Sequence, residues 1–262
     1  MYFKHINRLM MILVFSLIMA ACQKQGIIDQ TNDDTNEESR EKQTVKDSNE
    51  NERRSKEMKN KASNYLDGSL LKAVKDGNPE LVRSILESAD YQVDEKNGKG
   101  ETPLLIAVHN NSVKISKMLI DHGADINEQD DILDSPYLYA GALGRTEILK
   151  YMLEKATPDE TKFNRYGGNA IIPAAEKGHL ENVKLLLEKS KSDVNHQNDF
   201  GYTALIEAVA LTDGSTVYQD IVQVLLDGGA NPNLKDNNGK TALDYAQELN
   251  YTEMEQILLK YR

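Results

Sequence analysis

Apolar residues form short helical segments that repeat along the chain from Asp67 onward. One kind of segment opens with Thr, Ser or Asn, continues with apolar residues and has Ala at its sixth position. A run of three apolar residues then follows at a similar distance in each unit. Thr and Ser cap helix N-termini well, and Pro103 and Pro136 occupy the first helical position, where a missing N–H costs nothing. The pattern predicts pairs of helices, whose first segments are 102–107, 135–140, 169–174, 203–208 and 241–246.

A turn precedes each helix pair, and its residues recur as regularly as the helices do. The opening residues of successive first segments lie 33, 34, 34 and 38 positions apart. Gly stands two positions before four of these openings, and Asn or Asp stands five positions before every one. Asx side chains hydrogen-bond to their own turn and Gly supplies a positive φ, so this spacing predicts a tight turn. The Asx residues are Asn97, Asp130, Asn164, Asn198 and Asp236.

These units resemble the ankyrin repeat, whose signature includes Thr-Pro-Leu-His-x-Ala and a period near 33 residues. The resemblance implies an all-α ankyrin-repeat solenoid of about six stacked helix pairs with β-turn or hairpin tips, covering residues 67–262. A first unit at 69–94 lacks the Thr-Pro motif, as a capping repeat does. Each unit buries its apolar face against its neighbours, so we expect folding without metal, disulfide or cofactor.

Three departures from the repeat fall in the third, fourth and fifth units. Leu133 replaces the turn glycine of the third unit. Pro173 would delete the first intrahelical hydrogen bond of its helix and bend the helix entrance. The fifth unit has about five extra residues near 212–220, which we place in the turn between its two helices.

The N-terminus carries a second motif. Lys4 and Arg8 precede an apolar stretch at 9–20, and the segment 17–22 reads Leu-Ile-Met-Ala-Ala-Cys. This arrangement resembles the lipobox of a bacterial lipoprotein, except that Met stands where that motif usually has Leu. The alternative, a membrane-spanning helix, is disfavoured because the apolar run is shorter than the ~20 residues that cross a bilayer.

The lipobox resemblance implies that residues 1–21 are a signal peptide and that Cys22 is diacylated. The protein would then be lipid-anchored at the extracytoplasmic face of the cell membrane. Cys22 is the only cysteine in the chain, so its acylation leaves no thiol for a disulfide.

Residues 22–66 form a polar linker between the lipidated cysteine and the repeats. Its segment 23–66 contains nine basic and ten acidic residues and little that is apolar, so it cannot bury enough surface to offset its ordering entropy. We expect a disordered tether. The alternative that 52–66 forms a helix docked on the first repeat stays open.

Charge restricts the kind of partner. The chain carries a formal net charge of −11, and because the signal peptide and the linker nearly cancel, the repeat domain carries about −12. Nucleic acid and anionic lipid headgroups would be repelled, whereas a basic protein would be attracted. The alternative, that acidity merely keeps the domain in solution, stays open.

The sequence contains no convincing catalytic or metal-binding constellation. The segment 238–241 resembles the end of a phosphate-binding loop, but Leu234 stands where that motif needs glycine. Contexts typical of the repeat make His122 and His179 structural, and they leave His109 and His196 as an unexplained pair. We therefore expect a protein that is not an enzyme and has no cofactor or metal.

The resemblance implies partner binding through the turn tips and the first helix of each pair. Aromatic residues near solvent-facing turns are unusual, and Tyr and Arg are enriched in interface hot spots. The alternative for Phe163 and Phe200 is that they staple the turns to the helices. The predicted partner-binding residues are Ile132, Asp134, Arg165, Tyr166, Phe200 and Tyr202, with Tyr218 in the insertion.

Two functions of different kinds fit these features. The first is an immunity or inhibitor lipoprotein, monomeric alone, that occludes a toxin or secreted enzyme. The second is a scaffold or stress-related accessory factor that recruits an enzyme of the cell envelope. A receptor for a peptide ligand is a third hypothesis.

Overall fold

The computed structural model describes residues 65–88 and 91–261. The predicted signal peptide, Cys22 and nearly all of the predicted linker lie outside the described residues. The described part belongs to one compact unit, Ser63–Arg262, and consists of helices and turns without strands. Its helices form six consecutive pairs, as the repeat pattern predicted.

The helices are numbered in chain order, so that odd numbers denote the first helix of a pair. The first three pairs are α1 Ser69–Lys75 and α2 Pro79–Leu86, α3 Pro103–His109 and α4 Val113–Asp121, and α5 Pro136–Ala142 and α6 Thr146–Lys155. The last three pairs are α7 Ile171–Glu176 and α8 Leu180–Lys189, α9 Ala204–Ala210 and α10 Thr216–Asp227, and α11 Ala242–Leu249 and α12 Thr252–Leu259.

Each helix packs on its counterparts in the neighbouring pairs. First helices contact first helices along the series from α1 to α11, and second helices do the same from α2 to α12. The alanine at the sixth position of each motif is buried, which lets adjacent first helices approach closely. Because every pair covers the apolar face of the next, the core runs through all units as one cluster.

Helix starts follow the predicted capping chemistry in four of the five motif-bearing units. The side chains of Thr102, Ser135 and Thr203 accept a hydrogen bond from the backbone N–H three residues later, at 3.1 to 3.2 Å. Thr241 does the same and also takes part in a capping box with Asp244.

Helix α7 is the exception. In α5, the N–H of Tyr139 donates to the carbonyl of the capping Ser135 at 2.9 Å. Pro173 occupies the equivalent position and has no N–H to give, so the predicted loss of the first intrahelical bond is found. The helix begins at Ile171, and Asn169, instead of capping it, donates from Nδ2 to the carbonyl of Asp193 at 2.9 Å.

The insertion in the fifth unit does not lie wholly in a turn, so that prediction is wrong. The turn comprises residues 211–215, and 216–220 form the first turn of α10, which at twelve residues is the longest helix described. These residues are helical because the apolar side chains recur at helical spacing. Tyr218 is followed three, four and seven positions later by the buried Ile221, Val222 and Leu225.

The first helix pair is held by its neighbour. Helix α1 follows Gly68, which has no side chain for capping. The carboxylate of Glu95, from the second unit, accepts from the N–H groups of Gly68 and Leu71 at 2.6 and 3.0 Å. Tyr91 also donates its hydroxyl proton to this carboxylate at 2.7 Å.

Candidate functional site

Each turn tip is a five-residue segment that begins with its Asx residue: 97–101, 130–134, 164–168, 198–202 and 236–240. The sequence predicts that these tips carry the binding residues, and all of them have one hydrogen-bonding pattern. The Asx side chain that opens each tip accepts from the backbone N–H groups two and four residues later. In the fourth unit Asn164 Oδ1 accepts from Tyr166 at 2.9 Å and Gly168 at 3.0 Å, and Asn97, Asp130, Asn198 and Asp236 repeat the arrangement. The pattern gives every tip the same backbone, so equivalent side chains occupy equivalent places.

Neighbouring tips are joined by a backbone hydrogen bond from the second residue of one tip to the third residue of the tip before it. These bonds are Asp131 N–H to Lys99 O at 3.1 Å, Asp199 N–H to Tyr166 O at 3.0 Å, and Asn237 N–H to Phe200 O at 3.1 Å. Between the third and fourth units, the described residues lack the corresponding bond from Arg165 to Ile132. The Arg165 guanidinium instead reaches Asp134 Oδ2 at 3.3 Å.

Four of the predicted partner-binding residues lie on successive tips. Ile132, Tyr166 and Phe200 each occupy the third position of their tips, in the third, fourth and fifth units. Ile132 is 49% exposed and Phe200 41% exposed, and Tyr166 is half-buried. Arg165 is exposed, with its guanidinium carbon 5.6 Å from the centre of the Tyr166 ring.

Tyr202 and Asp134 are less accessible than predicted, because the fifth position of a tip packs toward the helices. Tyr202 packs against the core, and its ring meets that of Tyr245 edge-on at 6.3 Å. The Asp134 side chain is only 15% exposed, and burial raises its pKa against the opposing effect of Arg165. Both residues support the tips more than they project from them.

Tyr218 is not part of the tip series. It lies in the first turn of α10, at the far end of α9 from the fifth tip, where its ring covers Gly178 in the turn of the fourth unit. Tyr218 therefore lies away from the other predicted binding residues, and its part in binding stays a prediction.

Phe163 packs on the loop of the next unit and not, as the alternative interpretation had it, on a helix. Its ring stacks on His196 with centroids 4.3 Å apart and planes 12° apart. His196 Nε2 in turn lies 2.6 Å from the carbonyl oxygen of Gly167. His109 contacts different residues, Glu101 at 3.5 Å and the Tyr139 ring at 4.1 Å, so the two histidines have separate structural roles.

The sequence reasoning missed a group of charged residues at the C-terminal end of α7 and on α9, of which Glu207 is buried. Glu207 on α9 is nearly enclosed and accepts from Asn198 Nδ2 at 2.8 Å. Burial, helped by the negative charge of Glu176, raises the pKa of Glu207 to about 8. Burial also lowers the pKa of the neighbouring Lys177 and raises that of Glu176. The one available signal was Glu at a motif position where the other units have Ile106, Tyr139, Pro173 and Tyr245.

Among the residues described, no cluster of His, Cys, Asp or Glu has the arrangement of a metal site, and no helix has the length and apolarity needed to cross a membrane. The tips of the third to fifth units present the apolar and aromatic side chains of Ile132, Tyr166 and Phe200 beside the exposed carboxylates of Asp131 and Asp199.

The repeated tips and helix pairs define a known class of protein. The family model for ankyrin repeats matches three times, at residues 70–164, 133–198 and 171–262. The chain belongs to the ankyrin repeat family, whose members are protein–protein interaction modules.

Bacterial relatives resemble the chain across the whole repeat domain. The putative ankyrin repeat protein YahD of Escherichia coli K12 is 36% identical over 194 residues, which are 74% of this chain and 96% of YahD. The crystal structure of the ankyrin repeat protein EF0377 is 60% identical with a TM-score of 0.75, and covers 76% of this chain and 100% of its own. The ankyrin repeat domain ABAYE2397 from Acinetobacter baumannii is 43% identical with a TM-score of 0.71, covering 75% of this chain and 98% of its own.

A more distant likeness concerns the fold alone. A chain in the structure of the Bd0816 predatory endopeptidase from Bdellovibrio bacteriovorus in complex with immunity protein Bd3460 has a TM-score of 0.63 at 22% identity. It covers 76% of this chain and 100% of its own length.

Proposed function

We propose that the tips of the third, fourth and fifth units form the binding surface for a protein partner. One observation carries this: Ile132, Tyr166 and Phe200 occupy the same position of three successive tips, on identical backbone turns. The tips on either side carry Lys99 and Asn238 there, so the apolar series has defined ends. Rigid aromatic and aliphatic side chains grouped in this way are typical of interface anchors.

Charge supports a basic partner. The whole chain carries −11, and Asp131 and Asp199 lie exposed beside the apolar side chains. Negative charge at the border of an interface accelerates association with a positive partner and makes the rate depend on salt.

Lipid anchoring outside the cytoplasm is the second part of the proposal. It is supported by the basic and then apolar N-terminus and by Cys22 after two alanines. Two acyl chains give stable membrane attachment, whereas one gives marginal attachment. The charged linker would set how far the repeat domain reaches from the membrane.

The action we propose is occlusion of a toxin or secreted enzyme, that is, an immunity or inhibitor role. The same fold occurs in the endopeptidase–immunity protein complex, a likeness of architecture. For this chain, the proposal is supported by the apolar tips of the third to fifth units and by the net charge of −11. The partner is expected to lose activity when it forms a one-to-one complex with the full chain.

The test begins by isolating the partner from envelope and secreted fractions with the full chain and purifying it separately. Calorimetry then compares wild type with a Tyr166→Ala, Phe200→Ala double variant, in which we expect a loss of about 2 kcal/mol or more because two interface anchors are removed. Leu259→Ala, which shortens an exposed leucine of α12, is the control and should bind normally. Unchanged affinity in a double variant that melts normally would place the interface elsewhere.

A further inference from the structure

The fourth residue of every motif-bearing tip has a positive φ, and in one tip it is not glycine. Leu133 has φ 64°, in the left-handed region that strains a residue with a Cβ. The equivalent residues are Gly100, Gly167, Gly201 and Gly239, with φ from 72° to 76°.

A side chain at this position interferes with the stacking of the tips. A Cβ built on Gly100 would lie 2.8 Å from Asp131 Oδ1, and one built on Gly167 would lie 2.3 Å from Asp199 Oδ1. The residue that follows Leu133 in the stack is Arg165, and there the tip-to-tip backbone hydrogen bond is absent from the described residues. The leucine thus accounts for the one open step between neighbouring tips.

Leu133 also leaves apolar surface in water. It is 47% exposed and the adjacent Ile132 is 49% exposed, so the two form a continuous apolar tip. Glycine at position 133 would remove the strain, the exposed side chain and the obstacle to the tip-to-tip bond.

We infer that Ile132 and Leu133 form an apolar plug that inserts into an apolar pocket of the protein partner, bordered by basic side chains. The basic border follows from the exposed Asp131 next to the plug and from the net charge of −11. This inference rests on the proposed function and adds its central contact. Burial of Ile132 and Leu133 in the complex would offset the backbone strain at Leu133 and the exposure of both side chains to water in the free chain.

The first test uses the chain alone. Leu133→Gly should raise the melting temperature by about 3 °C, because the residue at this turn is then unstrained. Gly201→Leu, the reverse change in the fifth tip, should lower it, since a Cβ there lies 2.7 Å from the backbone nitrogen of Asn237. A lower melting temperature for Leu133→Gly would mean that the leucine stabilises the free chain, and would overturn the inference.

The second test locates the partner. The photoreactive residue p-benzoylphenylalanine replaces Ile132, Tyr166 or, as a control, Leu259 in the full chain expressed in its native host. The protein crosslinked from position 132 is identified and purified, and its affinity is measured by calorimetry. Leu133→Gly should bind at least tenfold more weakly, and Leu133→Met, which keeps an apolar side chain of similar size, within threefold of wild type.

The outcomes separate this inference from the proposed function. Crosslinks from position 166 without any from 132, or unchanged affinity in Leu133→Gly, would overturn the plug and leave the tip surface standing. A crosslink from position 132 to a second copy of this chain would also overturn the inference, because the plug would then bind this protein itself and not a basic partner protein. Absence of crosslinks from both tip positions would contradict both proposals.

Discussion

At the scale of the residue, Glu207 has the least ordinary environment in the described chain. Its carboxyl is buried on α9 beside Glu176 and Lys177, with Asn198 as its hydrogen-bond donor. Because burial favours the neutral form, the folded protein holds a proton on Glu207 that the unfolded chain releases near pH 4.5. The folded state therefore binds more protons than the unfolded state between about pH 4.5 and 8, and stability falls as the pH rises through that range.

Glu207→Gln should abolish this contribution, since the amide keeps a carbonyl acceptor for Asn198 and never ionises. The variant should match wild type near pH 5 and exceed its stability at pH 9 by a few kcal/mol. Thermal melts at both pH values measure the difference, with Glu154→Gln, an exposed glutamate on α6, as the control. An equal difference at pH 5 and pH 9 would mean that Glu207 is ionised in the folded protein throughout.

At the scale of the element, four of the six first helices described begin with a side-chain cap from their own motif, but α1 depends on Glu95 of the next unit. Two backbone N–H groups and the Tyr91 hydroxyl converge on that carboxylate. Negative charge at a helix N-terminus is favourable, and unpaired N–H groups there cost free energy. The first helix is thus formed fully only when the second unit is in place.

Glu95→Ala should destabilise the first helix pair by about 1 to 2 kcal/mol, as loss of a helix cap does. Hydrogen exchange should show reduced protection at Leu71, with little change in α5 and later helices. Glu87→Ala, at the exposed C-terminal end of α2, serves as the matched control. Unaltered protection at Leu71 would show that the carboxylate contributes nothing to α1.

The sequence predicted the features that form within one repeat and did not predict those that form between repeats. Helix pairs, caps such as Thr102 and turns opened by Asx are encoded within a few residues, so periodicity and residue type were enough. Three features that were not predicted depend on contacts between units. They are the stacking of Phe163 on His196, the packing of Tyr202 against Tyr245 and the cap that Glu95 gives to α1. Their geometry depends on how one tip sits on the next, which the pattern of a single repeat does not contain.

At the scale of the whole molecule, the proposed anchor and the repeat domain lie far apart in the sequence. Cys22 precedes the first described helix by more than forty residues, and the apolar faces of the repeats are covered by one another. Membrane attachment is therefore expected to depend on Cys22 and not on the fold.

Cys22→Ser should move the protein from the detergent phase to the aqueous phase in phase partition, because serine has no thiol to acylate. The melting temperature of the repeat domain should stay the same. Met19→Leu restores the residue usual in the lipobox and, as the control, should remain with the membrane. Partition of Cys22→Ser into detergent would contradict the lipid anchor.

The hydrogen bonds between neighbouring units have a consequence for biosynthesis. The bonds from Gln129 to Phe163 and from Arg145 to His109 join residues 34 and 36 positions apart, about one repeat. A chain emerging from a ribosome or a translocation pore can therefore bury each unit as soon as the next one has emerged. Folding can proceed vectorially from the N-terminus, so only about one repeat of uncovered apolar surface is exposed to proteases and to aggregation at any moment.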